Sequence, residues 1–383
     1  MSKFLVIPPT TPRKITRIAG ALGLIVAVLV GLATPARPMA LAPAQTVKTT
    51  NALAGLHTRF IDEVDEWKIA RGMTMIREMG ATWIVEFFPW NYIEPVKSRF
   101  EWSNADRIVR HAQNNGITVI ARLGFVPEWA KPRDVEGGRG TTVTHLDPQF
   151  FPDFANFAAE FVRHFSGQIS HVIIWNEPNL SNEWGMRPPN PAQYAALLTA
   201  SYVAIKRANP TTVVLAGALA PTLEPVGSPN AMNDLTYLEQ LYVALRSSGN
   251  GRAYDALAVH AYGQTAPFDE PPSATKINFR RTELVRDIMV ANGDTEVPIY
   301  ITEGGWNDDK RWINGVSPSA RIRNTIAALE FARTNWPWLR SLSFWVFKLT
   351  VPARGYRDHF TFVAPDLEPL PIYDEFKNAL SRQ

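Results

Sequence analysis

The chain has 383 residues, of which 46% are hydrophobic and 20% charged, and it contains no cysteine. That length and apolar content suit one large core and exclude a disordered chain, while the missing cysteine excludes disulfides and thiolate metal sites. Seven of the 39 Lys and Arg residues precede Asp62, the first acidic residue, leaving 32 basic against 36 acidic groups beyond it and no basic stripe for a nucleic acid.

The N-terminus reads as a targeting segment. Lys3, Arg13, Lys14 and Arg17 precede an uncharged run from Ile18 to Ala33, the charged and apolar parts of an export signal. The run of about 16 residues is slightly long for a cleaved signal and slightly short for a membrane span of ~20 residues. Residues 1–34 are therefore expected to be a signal peptide or membrane anchor, and 35–50, rich in Pro and Ala, a spacer. Either form puts the remainder outside the cytoplasm, secreted or tethered, with membrane contact only through this segment.

From residue 51 to 383 short apolar runs alternate with longer amphipathic ones, the pattern of a parallel α/β sheet. The predicted strands are Leu53–His57, Thr82–Phe87, Thr118–Leu123, His171–Trp175, Val213–Gly217, Ala256–His260, Ile299–Thr302 and Leu342–Phe347. The predicted helices are Asp65–Met79, Ser103–Asn115, Pro148–Phe165, Pro191–Ala208, Asp234–Ser247, Lys276–Ala291, Ser317–Thr334 and Pro371–Leu380, with Gly80 and Gly116 as stops and Ser103 as an N-cap. Strand ends recur at intervals of roughly 36–55 residues. These features predict a (β/α)8 TIM barrel. The rival, a doubly wound open sheet, requires a Gly-rich turn after the first strand, and the sequence has none there.

Two acidic residues stand where an apolar strand stops: Glu177 in HVIIWNEPN and Glu303 in PIYITEGGW. A Glu at such a place is costly unless it faces the open barrel mouth, where active sites of this fold lie. Glycoside hydrolysis needs two carboxyl groups across the scissile bond, one to protonate the leaving oxygen and one to attack the anomeric carbon or activate water. Arg122, ending the third strand, is an inward basic residue that needs a carboxylate, and Glu303 or Glu86 could supply it. Glu94 is expected to be a loop residue with a structural or subsite role.

Asn176-Glu177-Pro178 after the fourth strand, Glu303 after the seventh and Trp345 in the eighth resemble clan A of the glycoside hydrolases. FFPWNYIEPVKSRFEW (87–102) resembles the second-strand region of family 39-like members, with family 5 as second choice. The resemblance covers the chain from about residue 50 onward. It implies a retaining enzyme with Glu177 as acid/base and Glu303 as nucleophile. It further implies that Asn176 meets the sugar 2-hydroxyl, that Tyr262 orients Glu303 and His260 sits near Glu177, and that Trp345 forms a sugar platform. Clan members often carry an Arg that contacts the nucleophile, and Arg122 is the candidate here.

Among the 12 Trp, Trp90 and Trp306 lie just beyond strand ends and are expected to stack on sugar rings, with Trp129, Trp184 and Trp312 in other loops. Loops 127–146 and 263–275 are long enough to shape a cleft. The seven His show no tight ligand spacing, so no metal or other cofactor is expected. The expected partner is a carbohydrate, such as plant-wall xylan or glucan or an exopolysaccharide. Two alternatives stay open: a non-catalytic glycan-binding barrel, and another barrel enzyme using Lys348 as a Schiff base.

Overall fold

Eight short apolar segments form β1 (Ala54–Thr58), β2 (Trp83–Pro89), β3 (Thr118–Gly124), β4 (His171–Ile174), β5 (Val213–Ala216), β6 (Ala256–Tyr262), β7 (Ile299–Gly305) and β8 (Leu339–Phe344). They are seen in a computed structural model that describes residues 45–131, 142–247, 249 and 251–381. Each strand pairs in parallel with the next, and β8 returns to β1 to close the barrel. The architecture is the expected (β/α)8 barrel, and closure removes the open-sheet alternative. Strands covered on both faces carry apolar residues on both, and nearly every strand residue is buried.

The outer layer consists of α1 (Glu66–Glu78), α2 (Ser103–Asn114), α3 (Phe151–His164), α4 (Pro191–Ala208), α5 (Asp234–Ser247), α6 (Arg281–Ala291), α7 (Pro318–Asn335) and α8 (Pro371–Ser381). Gly80 (φ 82°) and Gly116 (φ 67°) end α1 and α2 in the left-handed conformation, as expected. Among the described residues no helix is long and apolar enough to cross a membrane.

Several boundaries differ from the predicted ones. Ser103 is the first helical residue of α2, and neither it nor Trp102, which holds the cap position, makes a side-chain cap bond. The sixth helix begins at Arg281, not Lys276, because the buried Arg281 guanidinium binds the carbonyls of Ser273 (2.8 Å) and Ala274 (3.1 Å) and the Asp234 carboxylate (2.8 Å), fixing the preceding residues as a turn. β8 stops at Phe344, so Trp345 follows the strand instead of lying in it. Residues 45–50, assigned to the spacer, lie on the base of the barrel: the Gln45 amide donates to Asn114 and that of Thr50 to Leu380, at 2.7 and 3.0 Å. The signal or anchor segment, 1–34, lies outside the described residues.

Inside the barrel the lower level is apolar. Val85, Ile120, Ile173, Leu215, Ala256, Ala258 and Tyr300 form one cluster, closed beneath by the His171 ring on the Tyr300 hydroxyl at 3.0 Å. This floor supports the polar residues at the C-terminal ends of the same strands.

Candidate active site

Above the floor opens a cavity of about 430 Å³, lined by Arg122, Asn176, Glu177, Glu183, Tyr262, Glu303, Trp345 and residues of the surrounding loops. Glu303 sits on β7, where alternation alone would aim its side chain outward. Ala258 pairs with Tyr300 and Val259 with Ile301, but His260 then pairs with Glu303. Thr302 is the extra residue of a β-bulge, and the slip turns Glu303 inward beside His260.

Glu303 is buried, with 6% exposure. Its Oε1 accepts from Arg122 and its Oε2 accepts from the Tyr262 hydroxyl at 2.8 Å. Burial alone would raise this carboxyl, but the charges of His260 and Arg122 and the Tyr262 hydrogen bond outweigh it and hold Glu303 well below the usual carboxylate range. Arg122 also donates to Asn176 Oδ1 at 2.8 Å. It does not pair with Glu86, whose carboxylate instead accepts from the Thr58 hydroxyl (2.5 Å) and the amides of Phe60 (3.1 Å) and Ile61 (3.0 Å).

Glu177 occupies the opposite wall. The chain leaving β4 turns sharply, with Trp175 at φ 72° and Glu177 at φ 39°. This region is uncommon for residues with a side chain and costs of order 1–3 kcal/mol each. Hydrogen bonds hold the turn: the Trp175 amide donates to Leu123 at 3.0 Å and the Glu177 amide to Ala218 at 2.9 Å. His260 Nδ1 lies 2.7 Å from Glu177 Oε1 and 3.7 Å from Glu303 Oε2, bridging the two walls. Burial opposes charge on His260, but Glu303 and Glu177 together raise its pKa.

One oxygen of Glu177, one of Glu303 and a nitrogen of His260 lie within 4.8 Å of one another. Such a trio could ligate a cation. However, the Arg122 guanidinium already supplies positive charge at Glu303 and His260 Nδ1 faces Glu177, a donor set matched to hydrogen bonding.

Trp345 borders the cavity, with its ring 4.5 Å from that of His57. His57 escaped the sequence reading. It is fully buried, its Nε2 lies 3.5 Å from Glu303 Oε1, and burial and then Arg122 lower its pKa, keeping it neutral. The available signal was a polar residue near the end of an apolar strand, AGLHT, the same one that marked Glu303. Glu183 was missed as well. It lines the cavity near Glu177, but lies in a turn region with no strand pattern to mark it.

Two expected sugar-stacking residues lie elsewhere. Trp90 is fully buried, stacked on Phe157 and donating to Glu94 at 2.7 Å, which also gives Glu94 its structural role. Trp306 is 1% exposed, packs on Phe279 and donates to the Ala266 carbonyl at 2.7 Å. Both side chains fold back into the core because their indole N–H groups find partners there. Trp312 instead lines the cavity, stacked on Tyr356 at 4.8 Å. Lys348 is buried against Glu63 at 2.8 Å, away from the cavity wall, and is not placed for Schiff-base chemistry. Of loop 127–146, residues 132–141 lie outside the described residues, and loop 263–275 brings Gln264 to the cavity.

Solved structures similar to this one are glycoside hydrolases. A family 39 glycoside hydrolase from the gut symbiont Bacteroides cellulosilyticus matches with TM-score 0.68 and 17% identity, over 86% of this chain and 64% of that one. A family 39 β-xylosidase from Caulobacter crescentus matches with TM-score 0.63 and 19% identity, over 88% and 72%. A psychrophilic family 10 endo-β-1,4-xylanase matches with TM-score 0.55 and 14% identity, over 86% and 96%. This chain thus spans a little under two thirds of the first of these proteins. No family model and no curated protein sequence matches. The fold is that of the (β/α)8 glycoside hydrolases, and within them it resembles family 39.

Proposed function

We propose that this protein is a retaining β-glycosidase acting on an extracytoplasmic oligo- or polysaccharide, with Glu303 as nucleophile and Glu177 as acid/base. The observation that carries the reading is the pair of carboxyl groups, with oxygens within 4.8 Å of each other and in different surroundings. Retaining enzymes hold their carboxyl groups about 5–5.5 Å apart, whereas inverting ones leave about 6.5–9.5 Å for a water. Glu303 is held ionised among Arg122, Tyr262 and His260, as a nucleophile must be. The family 39 and family 10 neighbours support the assignment to sugar chemistry, and the charged and apolar N-terminal sequence supports the location.

In the first step a Glu303 oxygen attacks the anomeric carbon. The bond to the leaving oxygen breaks with its electron pair, and that oxygen takes the Glu177 proton. The product is a glycosyl ester on Glu303. Water then gives a proton to the Glu177 carboxylate while its oxygen attacks the same carbon, releasing the Glu303 carboxylate. Two inversions retain the configuration. Asn176, fixed by Arg122, is set to meet the 2-hydroxyl, and Trp345 to lie under the ring. Two carboxyls and fixed donors suffice, so no cation or cofactor enters a step.

The test uses activated 2-deoxy-2-fluoro β-glycosides and intact mass. An increase of one sugar, mapped to Glu303, is expected. An adduct on another residue removes the nucleophile assignment. Binding of oligosaccharides without adduct or hydrolysis favours the glycan-binding alternative.

A further inference from the structure

The double displacement accounts for the two carboxyl groups, but not for a row of aromatic rings that leads away from one of them. Tyr262, whose hydroxyl donates to Glu303, packs edge-on against Phe360 with ring centres 5.7 Å apart. Phe360 meets Trp312 edge-on at 6.1 Å, and Trp312 lies flat on Tyr356 at 4.8 Å and 19°. All four rings line the cavity. Phe360 is buried, Trp312 half-buried and Tyr356 41% exposed, so the row climbs from the nucleophile to the rim. Aromatic rings open to a cavity suit the apolar C–H face of a sugar.

The two loops that carry the outer rings are cross-tied. Trp312 belongs to the loop after β7 and Tyr356 to the loop after β8. The Asn307 side-chain amide donates to the Tyr356 carbonyl at 2.6 Å, and the Asp308 carboxylate meets His359 Nδ1 at 3.0 Å. Beneath them the buried Arg321 guanidinium, from α7, donates to Asp308 (3.1 Å) and to the carbonyls of Phe360 (2.6 Å) and Thr361 (2.9 Å). A platform held in this way is ordered before a ligand arrives, which lowers the entropy lost on binding.

The strands run in order around the closed barrel, so the exits of β4 and β8 face each other across the mouth. Glu177, at the β4 exit, meets the leaving oxygen, and the sugar attacked by Glu303 takes the other side. Resting on the glycosidase reading, we propose that Trp312 and Tyr356 form a second glycone subsite. It stacks the sugar that precedes the attacked one, on its non-reducing side. The substrate is then a chain with at least two sugars before the cleaved bond, and binding of the outer one helps to drive reaction at the inner one.

The test measures nitrophenol release by the whole protein from 4-nitrophenyl β-glycosides. The nitrophenyl group fills the leaving-group side, so added sugars extend only into the glycone side. Monosaccharides of xylose, glucose, mannose and galactose are compared with their β-1,3- and β-1,4-linked disaccharides. In the series that is cleaved, kcat/KM for a disaccharide should exceed that for its monosaccharide by about tenfold or more. W312A should remove most of that ratio, and Y356A, at the rim, should act in the same direction. W312F keeps a ring and should keep most of the ratio, while I313A, at the adjacent residue that is 88% exposed, should leave it unchanged. A wild-type ratio near one, or a loss in W312A and Y356A that is equal on both substrates, overturns the subsite and leaves the glycosidase reading standing. A wild-type protein that releases nitrophenol from none of them removes both.

Discussion

On β3, Ile120 fills the barrel floor and Arg122, two residues on, reaches the mouth. On β6, Ala256 and Ala258 fill the floor while His260 and Tyr262 reach the mouth. The two levels share strands, hydrogen-bond ladders and depth, since Ile120 is 0% exposed and Arg122 only 6%. They differ in how their members are held. Floor residues touch whatever fills the space, and their contribution follows buried apolar area. Mouth residues each have a named polar partner, and removing one partner strands a buried charge. Burial by itself therefore does not separate floor from mouth inside this barrel; charged partners do.

The largest effect expected from breaking that pairing is in Glu303→Gln. Turnover should fall on the order of 10⁴-fold or more while the chain still folds to a cooperative melt. Steady-state kinetics beside a thermal melt checks both halves, and retained turnover would end the nucleophile assignment. Glu177→Gln should cost about 10²–10⁴-fold on a phenyl glycoside. On a dinitrophenyl glycoside its first step should be nearly unchanged, which pre-steady-state release of the phenolate measures. Leu215→Ala, on the floor, should do the reverse. It should lose about 2–5 kcal/mol of stability in denaturant unfolding, with kcat unchanged at low temperature.

Arg122→Met is the mildest of the four, with an expected loss of roughly 10–100-fold in kcat/KM. Its signature lies in the acid limb. A nucleophilic Glu303 must be ionised, so activity should be lost as pH falls through its depressed pKa. Removing Arg122 takes away one of the charges that depress it, so the limb should move to higher pH. An acid limb that stays in place would break the link drawn between Arg122 and the nucleophile.

The parallel barrel was legible because its signal is collective, spread over eight strand–helix units. Glu177, Glu303 and Arg122 were legible because a charge at the end of an apolar strand is expensive anywhere but the mouth. The indoles were not. A Trp beyond a strand end can turn outward to a sugar or inward to the core, and the choice for Trp90 and Trp306 rests on acceptors, the Glu94 carboxylate and the Ala266 carbonyl, that come together only in three dimensions. His57 was hidden by brevity: β1 is short, and one polar residue in it reads as the strand's end. Glu183 belongs to no periodic element, so only the folded turn shows that it shares the wall with Glu177.

The extra residue in β7 has a consequence for how this site can be altered. A strand is a two-stroke counter, and Thr302 adds one stroke. Shortening the chain by that single residue would leave Glu303, Arg122 and His260 all present in the sequence. It would also remove the bulge, so that Glu303 followed Ile301 directly and plain alternation carried its side chain inward beside His260. A regular ladder that kept Thr302 would instead set Thr302 before His260 and turn Glu303 to the helix side, a change of phase that would silence the proposed chemistry without a single change among the residues assigned to it.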